Sequence, residues 1–366
     1  MQKILEKYAH LLVNYCVSLE PGQKLYIESS TLAEPLVREV YRAALKAGGI
    51  PLVSLGFRDQ GLIMMEEASD AALEFVDPNY AMAMQDFEAY IHIRAPHYSH
   101  GLKPTDAKKR KKRLAATTPY RKIYSERTGK LDLKRNLCEY PTIAFAQNAG
   151  MTLEEYADFI FHACYLYDED PQARWLEVSK FQQQIVDVLN TKELIQYKGE
   201  GIDISFRVKD RIWMNSDGKT NMPSGEVYTA PIEDTVNGTI HFAYPSMYMG
   251  QEVEGITLWV KDGQVEKWEA KKGQALLDKI FSIEGARYFG EVAIGTNMRI
   301  QKPVKNILFD EKIGGTVHMA VGQTYFQCGG KNQSTIHWDM IADMKNGGEI
   351  FADGEKIYDS GKFLFV

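Results

Sequence analysis

The first half of the chain alternates helically spaced apolar residues with short apolar runs. Residues 3–16 show helical spacing, and after a Pro-Gly turn residues 24–28 have the pattern of a strand. A second helix is predicted over 35–47, and it leads through two glycines into a strand at 51–55. Further strands are predicted at 89–95 and 142–146. This order indicates β-α-β units and a parallel sheet covered by helices.

The pattern changes near residue 190, after a helical stretch that begins at Thr152 and is interrupted at Pro171. Short alternating strands follow, with Gly, Asn and Asp at the turns, and one helix is predicted near 272–283. The predicted fold class is α/β: an N-terminal parallel-sheet α/β domain, residues 1–190, followed by a mostly antiparallel, β-rich α+β domain, residues 191–366. The strands predicted in the second domain are 202–208, 239–243, 255–260, 316–321 and 335–342.

Composition and charge narrow the class of protein. The 366 residues carry a net charge of −6, so we expect no nucleic-acid partner, and the basic run at 108–113 is interpreted as a solvated face. The longest apolar runs are too short for a membrane span, and Lys3 and Glu6 stand where a signal peptide would be apolar. The four cysteines are scattered without a C-x-x-C pair. We therefore expect a cytoplasmic protein with no membrane partner.

Two strand-like segments of the second domain carry residues that can bind metals. In residues 316–321, alternation places His318 opposite the apolar Val317 and Met319, beside small residues. In residues 335–340 the same rule places His337 and Asp339 on one face. An imidazole and a carboxylate at i and i+2 can converge on one ion.

Two carboxylates stand alone in comparable segments. Glu226 and Glu291 each follow a glycine and are embedded in small or apolar residues. A carboxylate buried without a partner costs several kcal/mol, so a cation or a hydrogen-bond partner is expected if these strands are buried. Each of these residues alone is more often structural than functional. Five of them on β-like segments of one domain favour a metal site.

Longer segments around these residues resemble a known family. They are residues 221–231 (NMPSGEVYTAP), 287–293 (RYFGEVA), 309–318 (FDEKIGGTVH) and 337–339 (HWD). In order and approximate spacing they are similar to the thermophilic-type aminopeptidases, the M29 metallopeptidase family, and the resemblance extends into the first domain. It implies a cytosolic, homodimeric aminopeptidase that acts on peptides and carries two divalent metal ions per chain in its second, catalytic domain.

The resemblance and the chemistry of the donor set together suggest roles for individual residues. Tyr325 matches a tyrosine at the metal centre, where it could bind a metal or donate to the developing oxyanion. Glu311 is a candidate general base, or equally a turn carboxylate paired with Lys312. The oxygen and nitrogen donors suit zinc, cobalt or manganese, and we expect Glu291 to bridge the two ions. The implied metal ligands are Glu226, Glu291, His318, His337 and Asp339.

Two other functions stay open at this stage. A dinuclear phosphoesterase could use the same ligands, but it would need a cation to hold phosphate, for which Arg287 and Lys312 are the candidates. A metal-free peptide-binding protein could keep the fold and lose the chemistry.

Overall fold

The computed structural model describes residues 1–98 and 106–365, and the chain divides into two compact units. Among these residues, no helix has both the length and the apolar character needed to cross a membrane. The units are Met1–Gln172 with Gly218–Met222, and Ala173–Asp217 with Pro223–Val366.

The first unit is built on a parallel sheet of five strands. Numbered in chain order along the whole protein, its strands lie in the order β2-β1-β3-β4-β8, which is typical of doubly wound α/β folds. The strands are β1 (Lys24–Ser30), β2 (Ile50–Gly56), β3 (Ala89–Arg94), β4 (Lys134–Glu139) and β8 (Asn221–Met222). The helices are α1 (Gln2–His10), α2 (Glu34–Lys46), α3 (Gln60–Glu67), α4 (Asp70–Glu74), α5 (Pro78–Asp86), α6 (Ala107–Gly129), α7 (Ile143–Ala149) and α8 (Leu153–Ala163), with a π-helical continuation of α1 at Leu11–Cys16 and a 3₁₀ turn at Thr31–Ala33.

Local chemistry explains where the sequence interpretation holds and where it fails. The predicted start of α8 is a capping box, in which Thr152 and Glu155 cap each other's backbone N–H groups. The strand predicted at 142–146 is wrong, because the Thr142 hydroxyl accepts from the Phe145 N–H and starts α7 instead. The true strand, β4, begins with polar residues and shows no apolar alternation.

The second unit contains two antiparallel sheets and all but the first two residues of α9 (Pro171–Leu189). Because Ile185, Val186 and Leu189 of this helix lie in the core of the second unit, the division falls earlier than the predicted boundary near 190. The predicted fold class, a parallel α/β region followed by an antiparallel β-rich region, is confirmed.

One sheet of the second unit has five strands in the order β16-β15-β14-β9-β7, and we call it the site sheet. Its strands are β7 (Met214–Ser216), β9 (Glu226–Thr229), β14 (Phe289–Gly295), β15 (Thr316–Gly322) and β16 (His337–Asp343). The other sheet consists of β5 (Leu194–Gly199), β6 (Ile202–Arg207), β10 (Asn237–Phe242), β11 (Ser246–Tyr248), β12 (Gln251–Lys261), β13 (Gln264–Lys272), β17 (Glu349–Ala352), β18 (Glu355–Asp359) and β19 (Lys362–Phe363). The remaining helices are α10 (Gln274–Phe281), α11 (Ile307–Asp310) and 3₁₀ turns at Glu233–Thr235 and Phe326–Cys328.

Candidate metal centre

The site sheet turns one face to the core and the other to a set of charged residues. Val317, Met319 and Val321 of β15 belong to the apolar core, whereas His318 lies on the opposite face, as the alternation predicts. Every residue of β15 is buried, so His318 on the charged face is shielded from water. The charges on it therefore need partners within the protein.

The register of the strands leaves space between the charged residues. Glu291 on β14 and Asp339 on β16 both face Ala320 on the strand between them, so the small alanine separates two carboxylates. His318 faces Ala293 in the same way. Small neighbours let the longer side chains lean toward a common centre without steric conflict.

A β-bulge directs Glu291 onto the charged face. The register of β14 against β15 shifts between Phe289 and Glu291, at Gly290. The shift allows both Phe289 and Val292 to enter the core while Glu291 points away from it. A Cβ on Gly290 would lie 2.3 Å from the Gln323 carbonyl oxygen, so the close approach of the two strands requires glycine.

Glu226 also depends on a glycine. Gly225 has φ +118°, and a Cβ there would lie 2.6 Å from the Cβ of Asn297. On the other side, the buried Gln182 of α9 donates to the Glu226 carbonyl at 3.2 Å. The carboxylate of Glu226 is thus carried by a backbone that is fixed on both sides.

Six residues form two adjoining clusters on this face. In the first cluster, donor atoms of Glu226, Glu311 and His318 lie within 4.8 Å of one another. In the second cluster, the same holds for Glu291, His337 and Asp339. The structure therefore brings together all five residues named as metal ligands from the sequence, and it adds Glu311 to them.

Glu291 lies between the two clusters. One of its carboxylate oxygens is 3.7 Å from Nε2 of His318, and the other is 3.1 Å from Nε2 of His337. Nε2 of His318 is also 3.3 Å from a Glu226 oxygen, and Nε2 of His337 is 3.6 Å from Asp339. A carboxylate that faces both imidazoles has the position required of a bridge between two ions.

The ring of His337 is oriented by the backbone. Its Nδ1 lies 2.7 Å from the carbonyl oxygen of Gln323. A carbonyl can only accept, so Nδ1 carries the hydrogen and Nε2 is turned toward Glu291 and Asp339. This arrangement, in which the second ring nitrogen is fixed by a carbonyl, is common for metal-binding histidines.

Several donor atoms of the centre have no hydrogen-bond partner among the described residues. Nε2 of each imidazole lies between 3.1 and 3.7 Å from its facing carboxylate oxygens without forming a hydrogen bond. Unpaired buried donors and acceptors are rare in folded proteins, and a set of oxygen and nitrogen donors that converge without bonding fits a divalent cation. These atoms are Oε2 of Glu226, Nδ1 and Nε2 of His318, Nε2 of His337 and Oδ1 of Asp339.

The carboxylates hold protons on the imidazoles in the metal-free protein. Burial alone would lower the pKa of both rings, but the facing carboxylates outweigh it and raise the pKa of His318 to about 9 and that of His337 to about 12. Burial opposes ionisation of Asp339 as well, yet His337 lowers its pKa to about 2. The carboxylates of the centre therefore favour positive charge beside them. A metal ion that binds there has to displace the imidazole protons.

Lys312 pairs with Glu311, as one interpretation of the sequence had it, but its pairing with Glu226 was not predicted. Its ammonium is fully buried, 2.6 Å from a Glu226 oxygen, and it also bonds to Glu311. Burial by itself would lower the pKa of Lys312, but the two carboxylates outweigh burial and raise it. For Glu311 burial prevails over the attraction of Lys312 and raises the carboxyl pKa to about 8.

Tyr325 stands beside the second cluster. Its ring centroid is 5.1 Å from that of His337 and 5.2 Å from that of Tyr228. The charge of Glu291, together with burial, raises the pKa of Tyr325 well above its ordinary value, so the phenol keeps its proton and can donate a hydrogen bond.

Comparison with known proteins agrees with this geometry. Residues 1–363 match the family described as thermophilic metalloprotease (M29). The chain is 30% identical to Aminopeptidase 2 of Geobacillus stearothermophilus, across 100% of this chain and 98% of that protein. It is 27% identical to Aminopeptidase T of Thermus thermophilus, across 98% and 95%. The fold is similar to the structure of wild-type AmpT from Thermus thermophilus, with a TM-score of 0.84 and 22% identity over 99% of both chains. The resemblance seen in the sequence is thus confirmed, and the chain belongs to the M29 family of thermophilic metalloproteases.

Proposed function

We propose that this protein is an aminopeptidase that releases N-terminal amino acids from peptides with the help of two divalent metal ions. The observation that carries the proposal is the pair of adjoining clusters with Glu291 between them. Zinc, cobalt or manganese suits the oxygen and nitrogen donors. Relatives that align over nearly their whole length carry aminopeptidase names, which supports the peptide substrate.

Each cluster is assigned one ion. Glu226 and His318 would hold the first, His337 and Asp339 the second, and Glu291 both. Ions so held supply Lewis-acid polarisation of a carbonyl and make water more acidic. Since Nε2 of each imidazole already faces the carboxylates, little rearrangement is needed to bind them.

Two further residues are assigned to proton transfer. Glu311 belongs to the first cluster and its side chain is 15% exposed against 7% for Glu226, so it is the more accessible carboxylate. Bound cations would lower its pKa from about 8 in the metal-free centre, and the ionised carboxylate would then accept a proton from the attacking water. Tyr325, beside His337, would donate a hydrogen bond to the oxygen of the scissile carbonyl as negative charge develops there.

The proposal is tested with aminoacyl p-nitroanilides, on untreated and chelated enzyme. We expect turnover that chelation abolishes and zinc, cobalt or manganese restores. Acetylation of the substrate amine should abolish turnover, because the acidic centre is expected to bind the free α-amine. Equal turnover of acetylated and free substrates would contradict an aminopeptidase, and metal-independent turnover would contradict the metal assignment.

A phosphoesterase is less well supported by the same geometry. Of its two candidate phosphate-binding cations, Lys312 is already bonded to Glu226 and Glu311. Arg287 donates to the Phe281 carbonyl at 3.1 Å and stacks over Trp268. Hydrolysis of p-nitrophenyl phosphate without hydrolysis of the anilides would favour the phosphoesterase, and absence of both activities would favour a peptide-binding protein.

The proposal includes a homodimer in the cytoplasm, as the family resemblance implies. The burial of all four cysteine side chains is consistent with a reducing compartment. Light scattering should give twice the chain mass of 41.6 kDa, and a 41.6 kDa particle at micromolar concentration would overturn the dimer.

A further inference from the structure

The first unit contains a cavity that is separate from the residues of the metal centre. It has a volume of about 430 Å³ and is lined by residues of β3, β4, α5 and α6. This volume lies within the range of about 300–1,000 Å³ that is typical of small-molecule sites. Tyr80, His92, Arg121, Tyr124 and Arg135 contribute to its wall.

The two faces of the parallel sheet differ in chemistry. On the cavity side, Tyr90 of β3 faces Arg135 of β4, and His92 faces Leu137. On the other side of β3, Ala89, Ile91 and Ile93 are apolar and fully buried. A doubly wound sheet is stable with apolar residues on both faces, so folding alone does not require this polar surface.

The cavity wall is aromatic and held in place. The rings of Tyr90 and Tyr124 meet edge to face at 6.0 Å, and Tyr90 stacks with His92 at 6.3 Å. The hydroxyl of Tyr90 donates to Glu28, which fixes the ring at the floor. Such a wall offers flat apolar surface and hydroxyl groups with little loss of side-chain entropy on binding.

Two arginines at the cavity carry uncompensated charge. Across residues 1–98 and 106–365, the guanidinium of neither Arg121 nor Arg135 makes an ion pair or a hydrogen bond with another residue. Neighbouring arginines differ: Arg94 pairs with Glu139 at 3.2 Å, and Arg127 donates to three backbone carbonyls. Arg135 is half-buried in an interior strand, where an unpaired guanidinium is costly.

We propose that this cavity binds a small organic anion in which a carboxylate or a phosphate is attached to a planar ring. Arg135 and Arg121 would hold the anionic group by charge-assisted hydrogen bonds. The ring would lie against Tyr80, Tyr90 and Tyr124. The site shares no residue with either metal cluster.

The experiment is isothermal titration of the full-length, metal-loaded protein with benzoate, phenyl phosphate and inorganic phosphate. We expect saturable binding of benzoate or phenyl phosphate, and the stronger of the two identifies the anionic group. Arg135→Gln should weaken that binding about tenfold or more. Arg110→Gln, which changes an exposed arginine elsewhere on α6, is the matched control and should leave it unchanged.

Because carboxylates and phosphates also bind metal ions, the titration is repeated on chelated protein, where binding at the cavity should persist. If Arg135→Gln does not fold, Arg121→Gln on the exposed helix surface replaces it. The proposal is overturned if neither ring-bearing probe binds, or if the arginine variants bind as the wild type does. Inorganic phosphate that binds as tightly as phenyl phosphate would indicate an adventitious ion only and would also overturn it.

Discussion

The two carboxylate–imidazole clusters share one face of the site sheet but differ by one positive charge. The first cluster, Glu226, Glu311 and His318, contains the buried ammonium of Lys312. The second cluster, Glu291, His337 and Asp339, has no lysine or arginine of the described residues within 4.0 Å of its carboxylates.

This difference indicates how each cluster is stabilised when no metal is bound. In the first, Lys312 compensates the carboxylates permanently. In the second, the imidazole protons are the main compensation, and those leave when a cation arrives. A divalent ion in the first cluster is repelled by the resident ammonium, so we expect the second cluster to fill first and to bind more tightly.

The largest expected effect comes from the residue between the clusters. Glu291→Ala removes the carboxylate that faces both imidazoles, so both ions should be lost or strongly weakened. The two ions are expected to stabilise the charge of the transition state by several kcal/mol. Without them, kcat/KM should fall on the order of 10³-fold or more. Metal analysis of the purified variant, alongside its activity, makes the measurement.

Glu266→Ala is the matched control for that substitution, because Glu266 is an exposed glutamate of the same unit. It should retain metal and activity. Two ions per chain retained in Glu291→Ala would contradict the bridge, and if Glu291 were only structural the variant would lose stability without losing metal.

The residues of this centre that could be predicted are those that lie in periodic strands or in short motifs of the sequence. Alternation correctly placed His337 and Asp339 on one face of a strand. Glu226 and Glu291 were singled out as lone carboxylates in small or apolar segments, and the family resemblance then implied that they are ligands. The position of Lys312 could not be predicted in this way. It follows the short helix α11, outside any periodic element, and its partner Glu226 is 86 positions away in the chain.

The fold shows the same limit. The strand pattern of the second unit could be predicted because one face of each strand is apolar. In the first unit, β4 was missed because it begins Lys134-Arg135-Asn136, and its polar face is part of the cavity wall. Sequence reasoning from apolar alternation therefore fails where a strand carries a candidate binding surface.

A second prediction concerns the charge that distinguishes the clusters. Lys312→Met leaves Glu226 and Glu311 close together in a buried site without their cation. The free energy of unfolding of the metal-free protein should fall by about 3 kcal/mol, the usual cost of breaking a buried ion pair. With metal added, an ion can take over the compensation, so the loss should be much smaller. Denaturant melts with and without chelator measure both values.

The same variant tests the order of filling. Once the ammonium is removed, the first cluster should bind its ion more tightly, and the difference between two successive affinities in a metal titration should shrink. An equal loss of stability with and without metal would show that Lys312 has only a packing role.

A third prediction concerns the second cluster alone. Asp339→Ala removes a terminal carboxylate that faces His337 but not His318. Metal content should fall from two ions toward one, and activity should fall by about 100-fold or more. Mutation of a residue that only supports a metal ligand already lowers metal affinity or activity by about 10–100-fold. Loss of both ions would show that the two clusters do not bind metal separately. Retention of both ions would show that Asp339 is not a metal ligand.

The smallest effect is expected from a lysine with the same pairing but a different environment. Lys272 also lies between two carboxylates: it bonds to Glu252 and is 3.3 Å from Glu254. Its side chain is 53% exposed, whereas that of Lys312 is fully buried. Water and salt screen the exposed charges, and such pairs often contribute nothing measurable. Lys272→Met should therefore leave the midpoint of unfolding unchanged within error, with or without metal. A shift as large as that of Lys312→Met would show that lysine-to-methionine substitution itself, and not the burial of the charge, accounts for the difference between the clusters.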